Sequence, residues 1–97
     1  MVPSNQVLLS KRQAILDAAR RHGGANLRIF GSNARGEGRH DSDFDFLVDC
    51  GPNRPPFFPG GLQAALEEIL GRKVDVVTES SLHPEIRGRV LQEALPL

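Results

Sequence analysis

The chain has 97 residues, a mass of 10.6 kDa and a formal net charge of zero, with 12 acidic and 12 basic residues. This length predicts one small domain over residues 1–97. The charge balance argues against a general DNA-binding protein and against a polybasic membrane-surface protein. Because so short a chain builds only a thin core, we expect an enzyme of this size to need another molecule to complete its site.

The cysteine count and the hydropathy pattern exclude further classes of protein. Cys50 is the one cysteine in the sequence, which excludes an internal disulfide and a zinc site built from several cysteines. No apolar run approaches the roughly 20 residues of a membrane span, and residues 1–10 lack the pattern of a secretory signal. We therefore expect a cytoplasmic protein with no membrane segment, and a half-buried Cys50 without a chemical role.

The first predicted elements are a helix and a strand. Ser10 and Gln13 match a capping box, which predicts that a helix begins at Ser10, although an earlier start near Ser4 is open. An apolar stripe continues through Ile15 to Ala19, and the glycines at 23–24 end the helix. Alternating apolar residues over 26–30 then predict a strand, followed by one helical turn over 33–36.

The second half of the chain alternates strands and helices. Residues 43–49 predict a strand, and the Pro- and Gly-rich segment 50–61 predicts an irregular loop. Apolar residues at helical spacing over 62–70 predict an amphipathic helix, and 73–77 predict a third strand. A last helix follows 80–84; its residues expected to face inward are Ile86, Val90, Leu91 and Ala94. This interleaving indicates an α/β or α+β fold.

Three aspartates form the first chemical pattern. Asp43 and Asp45 are two residues apart on a predicted strand, so both carboxylates point to one face. Carboxylates so close raise each other's pKa unless a cation lies between them, and Mg²⁺ prefers such oxygen ligands. Asp75 can join them if its strand is adjacent, as a metal ligand or as a proton acceptor. The alternative is that all three carboxylates simply face water.

The second pattern is a predicted phosphate-binding turn. Gly31-Ser32 follows a strand, and a glycine lets a phosphate approach the backbone closely. The alternative is an ordinary turn with a serine cap. Arg35 could reach a triphosphate or instead pair with an acidic residue of the loop, Glu37 or Asp41. Arg39 could also touch phosphate, although loop arginines are more often solvated.

Together these residues resemble a known family. The spacing Gly31-Ser32, ten residues, Asp43-x-Asp45 resembles the DNA polymerase β-type nucleotidyltransferase superfamily. The longer segment from Gly31 to Val48 is similar to the minimal nucleotidyltransferase (MNT) antitoxins. The similarity continues through 71–78 and 93–97, so that it covers nearly the whole chain.

The resemblance implies an α+β fold, with a small mixed sheet packed against helices, that binds ATP and Mg²⁺. It implies that Gly31 and Ser32 hold the β- and γ-phosphates; Arg35 and Arg39 are candidates to assist because of their positions after this turn. It further implies that Asp43 and Asp45 ligate two Mg²⁺ ions and that Asp75 ligates one ion and helps to activate an acceptor hydroxyl.

The resemblance also implies a partner. MNT antitoxins accompany a HEPN-domain ribonuclease toxin, and they are similar to enzymes that transfer AMP from ATP to a toxin tyrosine. The chain contains no tyrosine, so a tyrosine acceptor must come from another chain in a hetero-oligomer. Phe57 and Phe58 are candidates for stacking on adenine or for a partner contact, or they cover the core. Two alternatives are open: a binding-only antitoxin with a vestigial site, and a transferase acting on a small molecule or an RNA end.

Overall fold

The computed structural model describes residues 6–35, 43–52 and 55–97. Over these ranges the helices are α1 (Gln6–Ser10), α2 (Arg12–Arg21), α3 (Gly60–Leu70) and α4 (Pro84–Glu93). The strands are β1 (Gly24–Phe30), β2 (Phe44–Cys50), β3 (Val74–Val77) and β4 (Leu95–Pro96). A short 3₁₀ turn, Glu79–Ser81, lies between β3 and α4.

The four strands form one mixed sheet in the order β3-β2-β1-β4. β1 runs antiparallel to both β2 and β4, whereas β2 and β3 are parallel and are connected through α3. A parallel pair requires such a crossover, and the amphipathic helix over 60–70 provides it. The expected α+β fold with a small mixed sheet is confirmed.

Each face of the sheet has its own apolar cluster, because strand side chains alternate between faces. The first face carries Ile29, Phe46 and Val76 and packs against α1, α2 and α3. The second face carries Leu47, which packs with Leu82 and with Val90 of α4. Asp45 and Asp75 share this second face with Leu47, so they lie on the side of the sheet that α4 covers.

Helix α3 also protects the outer edge of β3. The Val74 amide donates to Glu67 Oε2 at 3.2 Å, and the Val76 amide donates to Gln63 Oε1 at 3.1 Å. An edge strand otherwise presents unpaired N–H groups that can pair with another chain. Two side chains of α3 therefore take the place of a neighbouring strand.

The predicted capping box at Ser10 is wrong. α2 begins at Arg12, after Lys11 at the N-cap, and no side chain caps it. The Ser10 hydroxyl instead donates to the Val7 carbonyl at 3.0 Å within α1. A serine hydroxyl can bond either to the helix that follows it or to the turn that precedes it, and here the preceding turn wins.

Several predicted environments also need correction. Ile86 and Leu91 were expected to face inward, yet they are 39% and 37% exposed because α4 buries only a narrow stripe around Val90. Cys50 is exposed rather than half-buried, since it is the last residue of β2. Strand β4 was not predicted; a two-residue strand has no recognisable periodicity. None of the helices in the described ranges is long and apolar enough to cross a bilayer.

Candidate active site

The pairing of β2 with β3 brings two of the three predicted aspartates side by side. In the parallel register Asp45 lies directly beside Asp75. Asp43 immediately precedes β2, and its Oδ2 is 3.9 Å from Lys73 Nζ in a loose, exposed ion pair. The sequence had predicted that Asp43 lies within the strand; in the structure it lies just before it. The condition set for Asp75, that its strand adjoin that of Asp45, is met.

Asp45 is at the centre of this group. Burial raises the pKa of its carboxyl to about 6, and the negative charges of Asp75 and Asp43 add to the increase. Arg35 opposes the shift and Glu93 adds to it, so both side chains also act on Asp45 electrostatically. A carboxylate so crowded by negative charge is stabilised by a cation placed among its neighbours.

Gly31 lies against the Asp45 carboxylate. Phe30 pairs with Asp45 across β1 and β2, and Gly31 follows with φ +78°, a left-handed conformation that favours glycine. A Cβ atom at this position would overlap Asp45 Oδ2. Glycine is therefore required here for two reasons: the left-handed backbone conformation, and the lack of space for a Cβ atom beside the Asp45 carboxylate.

The predicted phosphate-binding segment is a single hydrogen-bonded turn. The Gly31 carbonyl accepts from the amides of Ala34 at 3.1 Å and Arg35 at 3.2 Å, and Ser32 is partly buried within the turn. The buried Asn33 side chain donates to the Asp43 carbonyl at 2.9 Å, which ties the turn to the start of β2. No sequence pattern had singled out Asn33. Residue 36, the last of the predicted helical turn, lies outside the described residues.

Arg35 pairs with a residue that the sequence had not suggested. Its Nη1 lies 3.1 Å from Glu93 Oε1 and 3.3 Å from Oε2. The same Oε1 accepts from the Gly31 amide at 3.1 Å. Glu93 is the last residue of α4 and lies 58 residues from Arg35, so local patterns could not have found it. Glu37, Arg39 and Asp41, also named from the sequence, lie outside the described residues.

The donor set suits a hard divalent cation. Asp43, Asp45 and Asp75 offer only carboxylate oxygens, the ligand type that Mg²⁺ prefers. Over the described residues, no three or more His, Cys, Asp or Glu side chains are already gathered so that they could hold a metal ion by themselves. Mg²⁺ in nucleotide sites takes one or two carboxylates and completes its shell with phosphate oxygens and water, so the residues fit a metal that arrives with a phosphate ligand.

The two phenylalanines of the Pro-rich loop lie in different environments. Phe58 is buried in the core and Phe57 is 93% exposed. The Phe58 ring therefore covers the core, whereas the Phe57 ring is on the surface, and its contact with a nucleotide or a partner stays a prediction.

Comparisons with known proteins agree with this geometry. The family model of the nucleotidyltransferase domain matches residues 11–97. The chain is 39% identical over 84 residues to a candidate protein adenylyltransferase of Methanocaldococcus jannaschii, covering 87% of this chain and 90% of the relative. It is 42% identical over 77 residues to the protein adenylyltransferase MntA of Thermococcus cleftensis, covering 77% of this chain and 76% of MntA.

Solved structures give the same fold. A candidate minimal nucleotidyltransferase superposes with a TM-score of 0.82 at 46% identity, covering 95% of this chain and 94% of that one. A toxin–antitoxin crystal structure with AMP-PNP has a TM-score of 0.72 at 21% identity, covering 87% of this chain and 69% of that one. At that identity the second likeness shows the fold alone.

Proposed function

The chain belongs to the nucleotidyltransferase domain family, and on this premise we propose that it transfers AMP from ATP to a tyrosine of a partner toxin. The expected likeness to minimal nucleotidyltransferases is confirmed by relatives named protein adenylyltransferase and by the close structural match. The proposed partner is a HEPN-domain ribonuclease held in a hetero-oligomer, and the modification silences it. The chain then acts as the antitoxin of the pair.

One observation carries the proposal: the register that sets Asp45 beside Asp75 and against Gly31. It brings Asp45, Asp75 and the turn at Gly31 to one end of the sheet, where Asp43 immediately precedes β2. Anion donors next to a cluster of carboxylates suit a metal-bound triphosphate, which carries both signs of charge. Solvent-facing aspartates without a role would not require a backbone turn packed directly against one of them.

The residues take the following roles in the proposed reaction. Gly31, Ser32 and Arg35 hold the β- and γ-phosphates, with Arg39 assisting. Asp43, Asp45 and Asp75 hold up to two Mg²⁺ ions, which supply positive charge where negative charge develops on the phosphates. Asp75 also accepts the proton of the acceptor hydroxyl.

The transfer balances as a displacement at phosphorus. The tyrosine oxygen forms a bond to the α-phosphorus, the bond from that phosphorus to the β-phosphate oxygen breaks, and pyrophosphate leaves. Positioning and electrostatic stabilisation supply most of the catalysis in such reactions. The acceptor comes from the partner, because the chain contains no tyrosine.

The test incubates the chain with Mg²⁺, ATP and the HEPN protein encoded beside it. Label in the α-phosphate should appear on a partner tyrosine and label in the γ-phosphate should not, because the γ-phosphate departs with pyrophosphate. Asp43→Asn and Asp45→Asn should abolish labelling, whereas Glu68→Gln, which removes an exposed carboxylate of α3, should not. A chain that never labels the partner but still neutralises it would favour a binding-only antitoxin.

The remaining alternative, transfer to a small molecule or an RNA end, has its own outcome in the same assay. Labelling of such an acceptor when the HEPN protein is omitted would replace the proposed partner. In the proposed function the described residues form only the nucleotide side of the site, and the partner supplies the acceptor side. We therefore expect no transfer without the protein partner.

A further inference from the structure

We propose that Glu93 is a positioning residue that holds the phosphate-binding turn and Arg35 in place for the nucleotide. The inference rests on the proposed function, since it concerns the same site. Glu93 is the last residue of α4 and comes from a different part of the chain than the turn. No role had been assigned to it by the sequence patterns discussed above.

The contacts of Glu93 join both ends of the turn. Its Oε1 accepts from the amide of Gly31, the first residue of the turn, and from Nη1 of Arg35, the last. Oε2 is 3.3 Å from the same Arg35 nitrogen. A single carboxylate thus fixes the position of the turn relative to α4, and it fixes the direction in which the guanidinium points.

Gly31 extends this effect to the metal-binding carboxylates. Because the Gly31 α-carbon leaves no room for a further atom before Asp45 Oδ2, a displacement of the turn must change the space open to that carboxylate. Glu93 therefore acts on the proposed phosphate donors directly and on Asp45 through Gly31. Its side chain is 21% exposed, so the contacts are partly shielded from water.

The placement of Glu93 in its helix supports a role beyond the helix itself. Negative charge is unfavourable in the last turn of a helix, where unpaired carbonyl groups carry partial negative charge. Glu93 also adds to the negative charge around Asp45, whose pKa it helps to raise. The Glu93 carboxylate is therefore unfavourable both for its helix and for Asp45. Its hydrogen bonds to the Gly31 amide and to Arg35 explain its presence there.

The test measures binding of AMP-PNP with Mg²⁺ by calorimetry, in variants of the full chain. Glu93→Ala should weaken binding by about tenfold, because Arg35 and the turn lose the carboxylate that holds them and must be ordered when the nucleotide binds. Glu93→Gln keeps an acceptor for the Gly31 amide but loses the charge that pairs with Arg35. Its affinity for AMP-PNP should therefore lie between those of the parent and Glu93→Ala. Glu68→Ala, an exposed acidic residue of α3, is the control and should bind as the parent does.

A double-mutant cycle separates positioning from general stability. If Glu93 acts through Arg35, Glu93→Gln should weaken AMP-PNP binding much less in an Arg35→Ala background than in the parent. A residue that only stabilises the fold would show no such coupling. Folded Glu93→Ala and Glu93→Gln proteins that bind as tightly as the parent would overturn the inference.

The inference and the proposed function can fail separately. Binding that depends on Glu93, together with no AMP transfer to any partner, overturns the proposed function and leaves the inference standing. If the parent chain transfers AMP and both Glu93 variants bind the nucleotide as tightly as the parent does, the inference alone is overturned. Amide exchange at Gly31 gives a readout without nucleotide: it should accelerate in Glu93→Ala, and unchanged exchange would count against the inference.

Discussion

At the scale of single residues, Gly31 and Asp45 show how the fold and the proposed chemistry depend on the same atoms. The backbone of Gly31 is left-handed and its α-carbon lies against the Asp45 carboxylate. Asp45 in turn is crowded by Asp75 and Asp43. Asp45 therefore opposes stability locally, which is a common property of functional sites, and Gly31 is the residue type that fits beside it.

Gly31→Ala should destabilise the chain and weaken nucleotide binding. The left-handed backbone costs a non-glycine residue about 1–2 kcal/mol, and the new Cβ must displace the Asp45 carboxylate. Gly88→Ala is the matched control. Gly88 lies inside α4 with open space around it, so this substitution should raise the free energy of unfolding by about 0.5–1 kcal/mol. Denaturant unfolding measures both, and equal effects of the two substitutions would contradict the account.

Asp45→Asn should stabilise the chain at neutral pH in the absence of divalent cations. Asp45 has a folded-state pKa of about 6 against an ordinary value of 3.8. The folded state therefore holds this proton more tightly than the unfolded state, and stability falls as the pH rises from about 4 to about 6. Above that range the full penalty remains, about 1 kcal/mol after allowance for solvent screening.

The measurement compares the unfolding free energies of parent and Asp45→Asn at about pH 4 and about pH 7. The gap should open as the pH rises, and Mg²⁺ with nucleotide should narrow it by stabilising only the parent. Asp49→Asn is a control of opposite sign, because Asp49 Oδ1 lies 2.8 Å from Arg28 Nη2 and its loss should destabilise. A gap that does not change with pH would contradict the crowding of Asp45.

At the scale of elements, α3 has two functions: it connects the parallel strands β2 and β3, and it covers the outer edge of β3. Gln63 and Glu67 lie one turn apart on α3 and point at alternate amides of the strand, those of Val76 and Val74. Side chains four residues apart on the helix thus match amides two residues apart on the strand. This match protects the edge of β3 next to Asp75.

Gln63→Ala and Glu67→Ala should each destabilise the chain by about 0.5–1.5 kcal/mol, because each leaves a partly buried strand amide without its acceptor. The double variant should also self-associate more readily, since an unprotected edge can pair with another strand. Glu68→Ala, exposed on the same helix, is the control. Sedimentation and denaturant unfolding measure the two effects; a double variant as stable and monomeric as Glu68→Ala would refute the role given to α3.

The sequence predicts elements well where their pattern is local and strong. The apolar stripe of α3 and the strand predicted over 43–49, found as β2, follow directly from side-chain periodicity. The helix start at Ser10 was wrong because a serine can cap either of two adjacent turns. Strand β4 is too short for a pattern and is set by its pairing with β1, through Arg28 and Ile29.

The same contrast applies to the site. Gly31, Asp43 and Asp45 are close in sequence, and Asp75 lies mid-strand between valines, so pattern and resemblance could locate them. Glu93 and Asn33 could not be predicted, since their contacts depend on the way α4 and the turn pack onto the sheet. Among the described residues, what escaped prediction is therefore the support of the site rather than its proposed ligands.

At the scale of the whole molecule, the sheet joins segments that are distant in the chain. We propose that residues 1–97 fold as one cooperative domain. Leu97 is 6% exposed, packs in the cluster shared by α2, β1 and α3, and its amide donates to the Leu27 carbonyl at 3.2 Å. Its carbonyl accepts from the Arg12 side chain, so that residue 97 is tied to α2 and to β1.

Leu97→Ala should cost about 2–4 kcal/mol, the range for truncating a buried leucine. Leu91→Ala, a similar truncation on the exposed side of α4, should cost less than about 1 kcal/mol. If the chain is one cooperative unit, helix content and amide exchange should report the same unfolding transition in the parent, and Leu97→Ala should shift both together. Separate transitions would contradict a single domain.

The most direct test of the central claim is the intact mass of the HEPN partner, measured together with its ribonuclease activity after incubation with Mg²⁺, ATP and the chain. We predict that the partner gains AMP on a tyrosine and that its activity falls in proportion to the modified fraction. Asp43→Asn/Asp45→Asn should leave both mass and activity unchanged. Loss of ribonuclease activity with that variant, without any gain in mass, would contradict the claim that AMP transfer at these carboxylates is what silences the partner.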